Sequence, residues 1–232
     1  MMESNEPITK LLYDDVVTGL LLSDANLEKT KPTWNSRFRM KQTMIHKELV
    51  FATEKYLKKL GFRTNIYYDK YNKLEVYTQY DPIFTKLRKI WYPNGKKIIP
   101  KCIVLTPKSL CYEFMGDGTS SWLSEKIGQK KSKITLYTNG FIIEDVVFLI
   151  EKLKDLGIES RTYITRKKYP VIDISKSFDV DLFFKLIDPY ILDSFRYKIR
   201  IPDIRTHKDY VNSLENKLVL KNALIKRWKV DL

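Results

Sequence analysis

The sequence predicts an α+β fold made of two similar units, each with the element order αββαββα and related to the other by a pseudo-twofold axis. Two observations lead to this prediction. Short segments recur in the same order in both halves of the chain, and each lies roughly a hundred residues from its counterpart. Between them, apolar residues recur at helical spacing in some stretches and at the two-residue spacing of strands in others. A chain of 232 residues can hold two such units around a shared core.

Each unit begins with an apolar helix that ends at an aspartate. The stretch VTGLLLSDA spans 17–25 and LCYEFMGDG spans 110–118, and in both a small residue stands on each side of the aspartate. The aspartates are Asp24 and Asp117. Small residues allow two helices to approach closely, and here they are Gly19, Ser23, Cys111 and Gly116. We therefore expect a central two-helix interface that brings the two carboxylates together.

The next shared features are an amphipathic helix closed by a glycine, a second hairpin, a last helix and a turn that contains lysine. A glycine directly after a helix is typical of a C-terminal cap, because it adopts positive φ without strain. The paired segments are EKYLKKLGF (54–62) with EKLKDLGI (151–158), FTKL (84–87) with FFKL (183–186), and KKIIP (96–100) with YKIRIP (197–202). We expect one unit over residues 10–102, the other over 103–202, and a C-terminal extension over 203–232.

The first hairpin of each unit carries positive charge on one face. In SRFRMKQT (36–43) and KSKITLYT (131–138), apolar and polar side chains alternate, which predicts one face against the core and one toward solvent. A solvated charged face would explain either strand alone. Repetition favours nucleic-acid binding, since a β-ribbon fits the DNA major groove. The candidate DNA-binding residues are Arg37, Arg39, Lys41, Gln42, Lys131, Lys133 and Tyr137, and in the second hairpins Arg63, Tyr67, Lys73, Arg161, Tyr163 and Arg166.

The overall charge supports a polyanionic partner. Lys and Arg number 42 against 28 Asp and Glu, a formal charge of +14, and the isoelectric point is near 9.5. This excess favours nucleic acid over a membrane surface, with a generic solubility charge as the alternative. No stretch approaches the ~20 apolar residues of a membrane span, and the polar start is unlike a signal peptide. Two cysteines and two histidines argue against a disulfide framework or zinc site, and we expect Cys102 and Cys111 to be buried free thiols.

The two aspartates predict a divalent-metal centre. A carboxylate at the negative end of a helix is disfavoured unless a cation offsets it. Two such ends packed together also add carbonyl oxygens, here those of Ala25 and Gly118. Oxygen ligands suit Mg²⁺, which keeps several waters and accepts phosphate oxygens, so Asp24 and Asp117 would serve phosphodiester hydrolysis. For either residue alone, an ordinary exposed helix end is the alternative.

Lysines recur as well. Lys97 and Lys198 are candidates for stabilising charge at a scissile phosphate, with phosphate anchoring or plain surface charge as the alternatives. No side-chain general base recurs with the same regularity. A nuclease core of the acid–x–Lys type in PVIDISK (170–176) is disfavoured, because Lys176 lies three residues after Asp173 and not two.

These motifs resemble those of the LAGLIDADG homing endonucleases, and more closely the monomeric, intron-encoded group with two motifs. VTGLLLSDA shares the Gly, the following Leu and the Asp of the nine-letter motif, and LCYEFMGDG shares the first Leu, the Asp and the final Gly. The flanks LTPKSLCYEFMGDG and FRYKIRIP also look like that group, and the likeness covers residues 10–202. The chain departs from the motif at Ala25, Tyr112 and Gly116.

The resemblance implies two saddle-like antiparallel sheets that hold double-stranded DNA, in a monomer. It also implies site-specific cleavage of both strands across the minor groove of a long asymmetric target, leaving 3′ overhangs and starting intron or intein homing. Asp24 and Asp117 would be the metal-binding catalytic acids, and Lys97 and Lys198 the basic residues of the pockets. We expect Mg²⁺ as cofactor, Mn²⁺ as a substitute, and Ca²⁺ as an ion that binds without supporting cleavage. An RNA-binding intron maturase or a non-cleaving DNA-binding protein on the same fold is the alternative.

The end of the chain lies beyond the repeat. YVNSLENKLVLKNALIKRW places leucines at roughly helical spacing with basic residues between them, which favours a packing helix over a DNA-backbone clamp or a partner helix. An organelle and a phage or microbial cytoplasm are both compatible locations.

Overall fold

The computed structural model describes residues 6–123 and 131–199. The predicted extension at 203–232 and the last residues of the second predicted unit lie outside the described residues. The backbone of Lys131 is described as part of a strand, whereas its side chain lies outside the described part. No helix among the described residues is long and apolar enough to cross a membrane.

The order αββαββα occurs twice, as predicted. After a short helix α1 (Glu6–Leu12), the first unit contains α2 (Asp15–Leu22), β1 (Ala25–Glu28), β2 (Arg37–Thr43), α3 (Lys47–Lys59), β3 (Thr64–Tyr68), β4 (Lys73–Thr78) and α4 (Pro82–Trp91). The second contains α5 (Pro107–Asp117), β5 (Gly118–Leu123), β6 (Lys131–Tyr137), α6 (Ile143–Asp155), β7 (Arg161–Ile164), β8 (Pro170–Ile174) and α7 (Ser177–Ile187). Short 3₁₀ helices cover Met44–His46 and Asp193–Lys198. Helix α1 has no counterpart in the sequence-based prediction.

The two sheets have the same topology and the same register. Their strand orders are β1-β2-β4-β3 and β5-β6-β8-β7, and every pairing is antiparallel. In the first sheet Met40 of β2 lies opposite Ala25 and Val76, and in the second Leu136 of β6 lies opposite Gly118 and Ile172. The apolar residues of β2 and β6 are fully buried, so the predicted alternation is confirmed; they are Phe38, Met40, Ile134 and Leu136.

The central interface is formed by α2 and α5, as the small residues predicted. A Cβ placed on Gly19 would lie 2.3 Å from the carbonyl oxygen of Ser109 and 2.6 Å from Cβ of Tyr112. A side chain at this position therefore does not fit, because the obstructing atom belongs to the backbone of the partner helix. Tyr112 departs from the small residue of the motif, yet its Cβ still lies against Gly19 in a tight crossing.

Local signals explain where the helices begin and end. The side chain of Asp14 accepts from Val17 N at the start of α2, and Thr106 forms a capping box with Ser109 at the start of α5. The glycines after α3 and α6, Gly61 and Gly157, have φ of 91° and 82°, as a C-terminal cap requires.

Two details differ from the sequence-based expectations. The first central helix ends at Leu22, so Ser23 and Asp24 form the turn into β1 rather than the helix end itself. Both cysteines are free, but only Cys111 is buried. The prediction of a buried Cys102 was wrong, since this residue lies in the exposed turn that leads to α5.

Candidate metal centre and nucleic-acid interface

The two aspartates lie together at one end of the central helix pair. Asp117 is the last residue of α5, and Asp24 lies in the turn that follows α2. A Cβ placed on Gly116 would lie 2.6 Å from the side chain of Ser23 and 2.8 Å from Oδ2 of Asp24. Asp24 therefore packs against the last turn of α5, beside the residue that precedes Asp117, and the small residue at 116 makes this possible.

Desolvation raises the pKa of both carboxyl groups, and the charge of Asp24 adds to the shift at Asp117. For Asp117 the pKa rises to about 6, because the group is desolvated and because the charge of Asp24 is near. Burial also raises the pKa of Asp24, against the opposing effects of a 2.5 Å hydrogen bond from Nε2 of Gln42 and of two nearby lysines. Two partly desolvated carboxylates that repel each other favour a bound cation.

The two lysines lie half-buried beside this pair, and their amines bind the backbone carbonyls around the aspartates. Nζ of Lys97 donates to the carbonyls of Ser23 and Ala25, at 3.2 and 2.8 Å. Nζ of Lys198 donates to those of Phe114, Met115 and Gly118, at 3.2, 2.8 and 2.7 Å. Each amine is thus held in place by backbone carbonyl oxygens at the end of a central helix.

Burial lowers the pKa of each lysine to about 8, although the two aspartates oppose this shift. Near neutral pH both amines are mostly protonated and supply positive charge next to the carboxylates. The two lysines differ in one respect. All three N–H groups of Lys198 meet carbonyl oxygens, whereas Lys97 binds two carbonyls among the described residues.

The carbonyl oxygens of Ala25 and Gly118, which we expected to face a metal ion, accept hydrogen bonds from these lysines. Within residues 6–123 and 131–199, no group of three or more His, Cys, Asp or Glu side chains could hold a metal ion. Asp24 and Asp117 are the two carboxylates that the structure brings to this end of the helices. Two carboxylates suit a hard cation that keeps several waters and takes further oxygens from phosphate.

One buried acid near the site was missed by the sequence-based prediction. Glu113 lies on α5 one turn before Asp117 and is fully buried, and neither carboxyl oxygen has a hydrogen-bond partner in the described part of the chain. Burial, together with the charge of Asp117, raises the pKa of Glu113 well above its usual range. The signal that could have pointed to Glu113 is its position four residues before Asp117, which places both acids on the same face of the helix.

The predicted basic faces exist, but they also contain acidic residues. The outward-facing cations of β2 and β6 whose side chains are described each bind a carboxylate from a neighbouring strand or turn. The pairs are Arg37 with Glu28, Arg39 with Glu28 and Glu75, Lys41 with Asp69, and Lys133 with Asp173. Sequence reasoning found the cations through their alternation along one strand. It missed the acids because these come from other strands, whose register a single sequence does not reveal.

The remaining predicted DNA-binding residues with described side chains form none of these ion pairs, although the amine of Lys133 lies over the ring of Tyr163. Gln42 binds Asp24 and so belongs to the candidate metal centre. The exposed residues are Arg63, Tyr67, Lys73, Tyr137, Arg161, Tyr163 and Arg166, which lie on or next to β3, β4, β6 and β7. The disfavoured hypothesis of an acid–x–Lys nuclease core relied on Asp173. This residue is buried, and its carboxylate is bound by Thr135 and Lys133 and so is not available as a catalytic acid.

Comparison with known proteins identifies the family. A sequence model described as the LAGLIDADG DNA endonuclease family matches residues 14–179. An uncharacterised protein of Methanocaldococcus jannaschii, MJ1098, is 31% identical over 192 residues, which is 79% of this chain and 72% of the relative. The cytochrome b mRNA maturase bI2 of Debaryomyces hansenii is 30% identical over 212 residues, 84% of this chain and 76% of the relative. A probable intron-encoded endonuclease of Wickerhamomyces canadensis is 30% identical over 199 residues, 81% and 84%.

Solved structures agree on the fold. The homing endonuclease I-WcaI bound to its DNA recognition sequence superposes with a TM-score of 0.66 at 23% identity, over 84% of this chain and 87% of that chain. The α+β fold with two four-stranded antiparallel sheets is thereby confirmed.

Proposed function

The chain belongs to the LAGLIDADG DNA endonuclease family, and from this premise we propose that it is a site-specific, metal-dependent endonuclease that cuts both strands of DNA. The observation that supports the proposal most directly is the pair Asp24 and Asp117, one from each unit, brought together at the end of the central helices. We propose cleavage across the minor groove of a long asymmetric site with 3′ overhangs, by a monomer, in intron or intein homing.

The residues of the chain fit a divalent cation such as Mg²⁺. Asp24 and Asp117 would hold it, and the desolvation that raises the pKa of both carboxyl groups supports a cation at this place. When bound, such an ion neutralises charge on a scissile phosphate and lowers the pKa of a water. Lys97 and Lys198 hold the turns after α2 and α5 through the carbonyl oxygens, which places the carboxylates, and their charge favours the approach of a phosphate.

The experiment that tests this function uses a plasmid library with randomised inserts, incubated with the protein and Mg²⁺. We expect a subset of inserts to be cut, and the same inserts to be bound but not cut in Ca²⁺. The variants Asp24→Asn and Asp117→Asn should each lose cleavage, because the cation loses a ligand charge, while DNA binding in Ca²⁺ persists.

A matched control is Asp155→Asn, which removes an exposed carboxylate paired with Lys152 at the end of α6. This variant should cut like the unmodified protein. Cleavage retained by both Asp24→Asn and Asp117→Asn would contradict the proposed metal centre.

A second candidate function is assistance to intron RNA splicing, which the likeness to the maturase of Debaryomyces hansenii favours. The same two aspartate variants separate the candidates. A protein that acts only on RNA should show no plasmid cleavage in any form, and should bind an intron RNA equally well with or without the two carboxylates.

A further inference from the structure

The outward face of the first sheet, opposite the core, contains a network of partly buried ion pairs. Its outward positions on β1, β2 and β4 include Glu28, Arg37, Arg39, Lys41 and Glu75. Positive and negative side chains alternate across the strands there, so the charge of this surface is close to balanced. The excess charge of +14 that attracts DNA must therefore reside mostly elsewhere on the molecule.

Arg39 lies at the centre of the network and is held on two sides. Its Nε and Nη2 donate to the two carboxyl oxygens of Glu75, at 2.7 and 2.8 Å, and its Nη1 donates to Glu28 at 2.7 Å. Three of the five N–H groups of the guanidinium thus donate hydrogen bonds, and these bonds to Glu75 and Glu28 fix the plane of the group. The other two N–H groups of Arg39 donate no hydrogen bond to the part of the chain that the structure describes.

The carboxylate of Glu75 holds Arg39 in this orientation by accepting two of its hydrogen bonds. Only 7% of its side chain is exposed, against 31% for Arg39, so the acid lies beneath the arginine. If Arg39 turned away to bind a DNA phosphate, Glu75 would stay behind as a buried charge without its partner, which is strongly unfavourable. Arg39 can therefore contact DNA only from the orientation in which the acids hold it.

The neighbouring cations are restrained in similar ways. Both Nε and Nη2 of Arg37 contact Glu28, and its guanidinium stacks 4.4 Å from the ring centre of Tyr77. Lys41 pairs with Asp69 at 2.6 Å, and the carboxyl group of Asp69 is itself held by two backbone N–H groups of its turn.

The second sheet has a buried acid as well. Lys133 binds Asp173, which is 2% exposed and also accepts a 2.8 Å hydrogen bond from Thr135. The residue of the first sheet that corresponds to Asp173 is Tyr77. Tyr77 lies opposite Arg39 of β2, and Asp173 lies opposite Thr135, the residue of β6 that corresponds to Arg39. The two sheets thus restrain their cations with acids at different positions of the repeat.

We propose that Glu75, together with Glu28, determines DNA specificity by holding Arg39 so that its two remaining N–H groups read a guanine edge and cannot neutralise a phosphate. Two parallel N–H donors match O6 and N7 of guanine in the major groove, where a β-sheet can dock. Asp173 restrains Lys133 in the second sheet. The inference rests on the proposed function, because it requires that the protein binds double-stranded DNA.

The test is a selection of bound sequences from a pool of duplexes with a randomised core, carried out in Ca²⁺ so that no strand is cut. We expect the unmodified protein to select guanine at one position that Arg39→Ala no longer selects. The variant Glu75→Gln should lose the same preference. It should also bind the unselected pool at least threefold more tightly, and the salt slope of that binding should steepen by about 0.9 for each new phosphate contact.

The control is Glu54→Gln on α3. It removes a carboxylate from the ion pair with Lys58, which lies on the side of the first sheet that faces the core. It should select and bind like the unmodified protein. Because Glu75 is buried, its variant could fail to fold. Glu28→Gln, at a more exposed position, then provides the same comparison, since Glu28 holds the same guanidinium.

The outcomes separate the inference from the function on which it rests. If Glu75→Gln and Glu28→Gln bind the pool more tightly but keep the guanine preference, the acids act only by charge repulsion and the inference is overturned. An unmodified protein that binds no duplex overturns the proposed function itself.

Discussion

Asp117 is the residue at which folding stability conflicts most clearly with the proposed metal binding. Its carboxyl group is desolvated and lies near Asp24, which together raise its pKa to about 6. The folded protein therefore favours the protonated form relative to the unfolded chain, in which the pKa is near 3.8. As pH rises from about 4 to above 6, ionisation of this group makes folding progressively less favourable.

We expect Asp117→Asn to melt at a higher temperature than the unmodified protein at pH 8 in the absence of divalent ions. The reason is that the neutral amide avoids the cost of a buried charge beside Asp24. The difference should vanish at pH values below 4, where the carboxyl group is protonated in both states. Differential scanning calorimetry at several pH values measures it, with Asp155→Asn as the control. An advantage that is equal at pH 4 and pH 8 would contradict the assignment.

At the scale of single elements, the crossing of α2 and α5 decides whether the site exists. Both helices are apolar almost all round, so each could have been an ordinary core helix. The close approach at Gly19 and Gly116 distinguishes them, because a Cβ on Gly19 would meet the backbone of α5 and a Cβ on Gly116 would meet the side chains of Ser23 and Asp24. Lys97 and Lys198 add to this by binding the carbonyl oxygens at the ends of the two helices, where the helix dipole is negative.

We expect Gly19→Ala to lower the free energy of unfolding by at least ~2 kcal/mol, since inserting a methyl group into a tight contact forces the backbones apart. Alanine is intrinsically better than glycine in a helix by ~1 kcal/mol, so a loss of stability would report the clash and not helix propensity. Urea unfolding measures it. Gly140→Ala is the control, because a Cβ there meets nothing within 4 Å. Equal stability of Gly19→Ala and the unmodified protein would exclude the tight crossing.

At the scale of the whole molecule, the cations fall into two groups, those paired with acids and those exposed to solvent. The positions of β2 that face outward are largely paired with acids, whereas the turn between β7 and β8 carries exposed cations, among them Arg166 and Lys167. We infer that such exposed side chains supply the contacts to phosphates, since they can move to a phosphate without breaking a buried pair.

We expect binding of the protein to mixed-sequence duplex DNA to weaken steeply with salt. Replacing both Arg166 and Lys167 by alanine should reduce the slope of log K against log salt by up to about 2, as expected for two lost phosphate contacts. The matched control replaces Lys55 and Lys59, two exposed lysines of α3, which packs on the core side of the first sheet. Fluorescence anisotropy over a salt series measures both slopes. An equal reduction in the control would show that only net charge matters.

Much of the fold was predictable because the sequence patterns that specify it are either local or repeated in both halves of the chain. The duplication, the order of helices and strands, the glycine caps at Gly61 and Gly157 and the paired aspartates all follow from periodicity and self-similarity, which need no knowledge of distant contacts. Helix α1 and the exposure of Cys102 were missed, since neither has a counterpart in the other half that would have drawn attention to it.

The sequence by itself thus determined the fold class and the two acids that meet at the centre. Only the tertiary structure decided what surrounds them: that lysines bind the carbonyls of Ala25 and Gly118, that Gln42 binds Asp24, and that Glu75 lies beneath Arg39. The physical reason is the distance along the chain. Each of these contacts joins residues on different elements, and which side chains meet depends on strand register and helix crossing, which are set by the packing of the whole core.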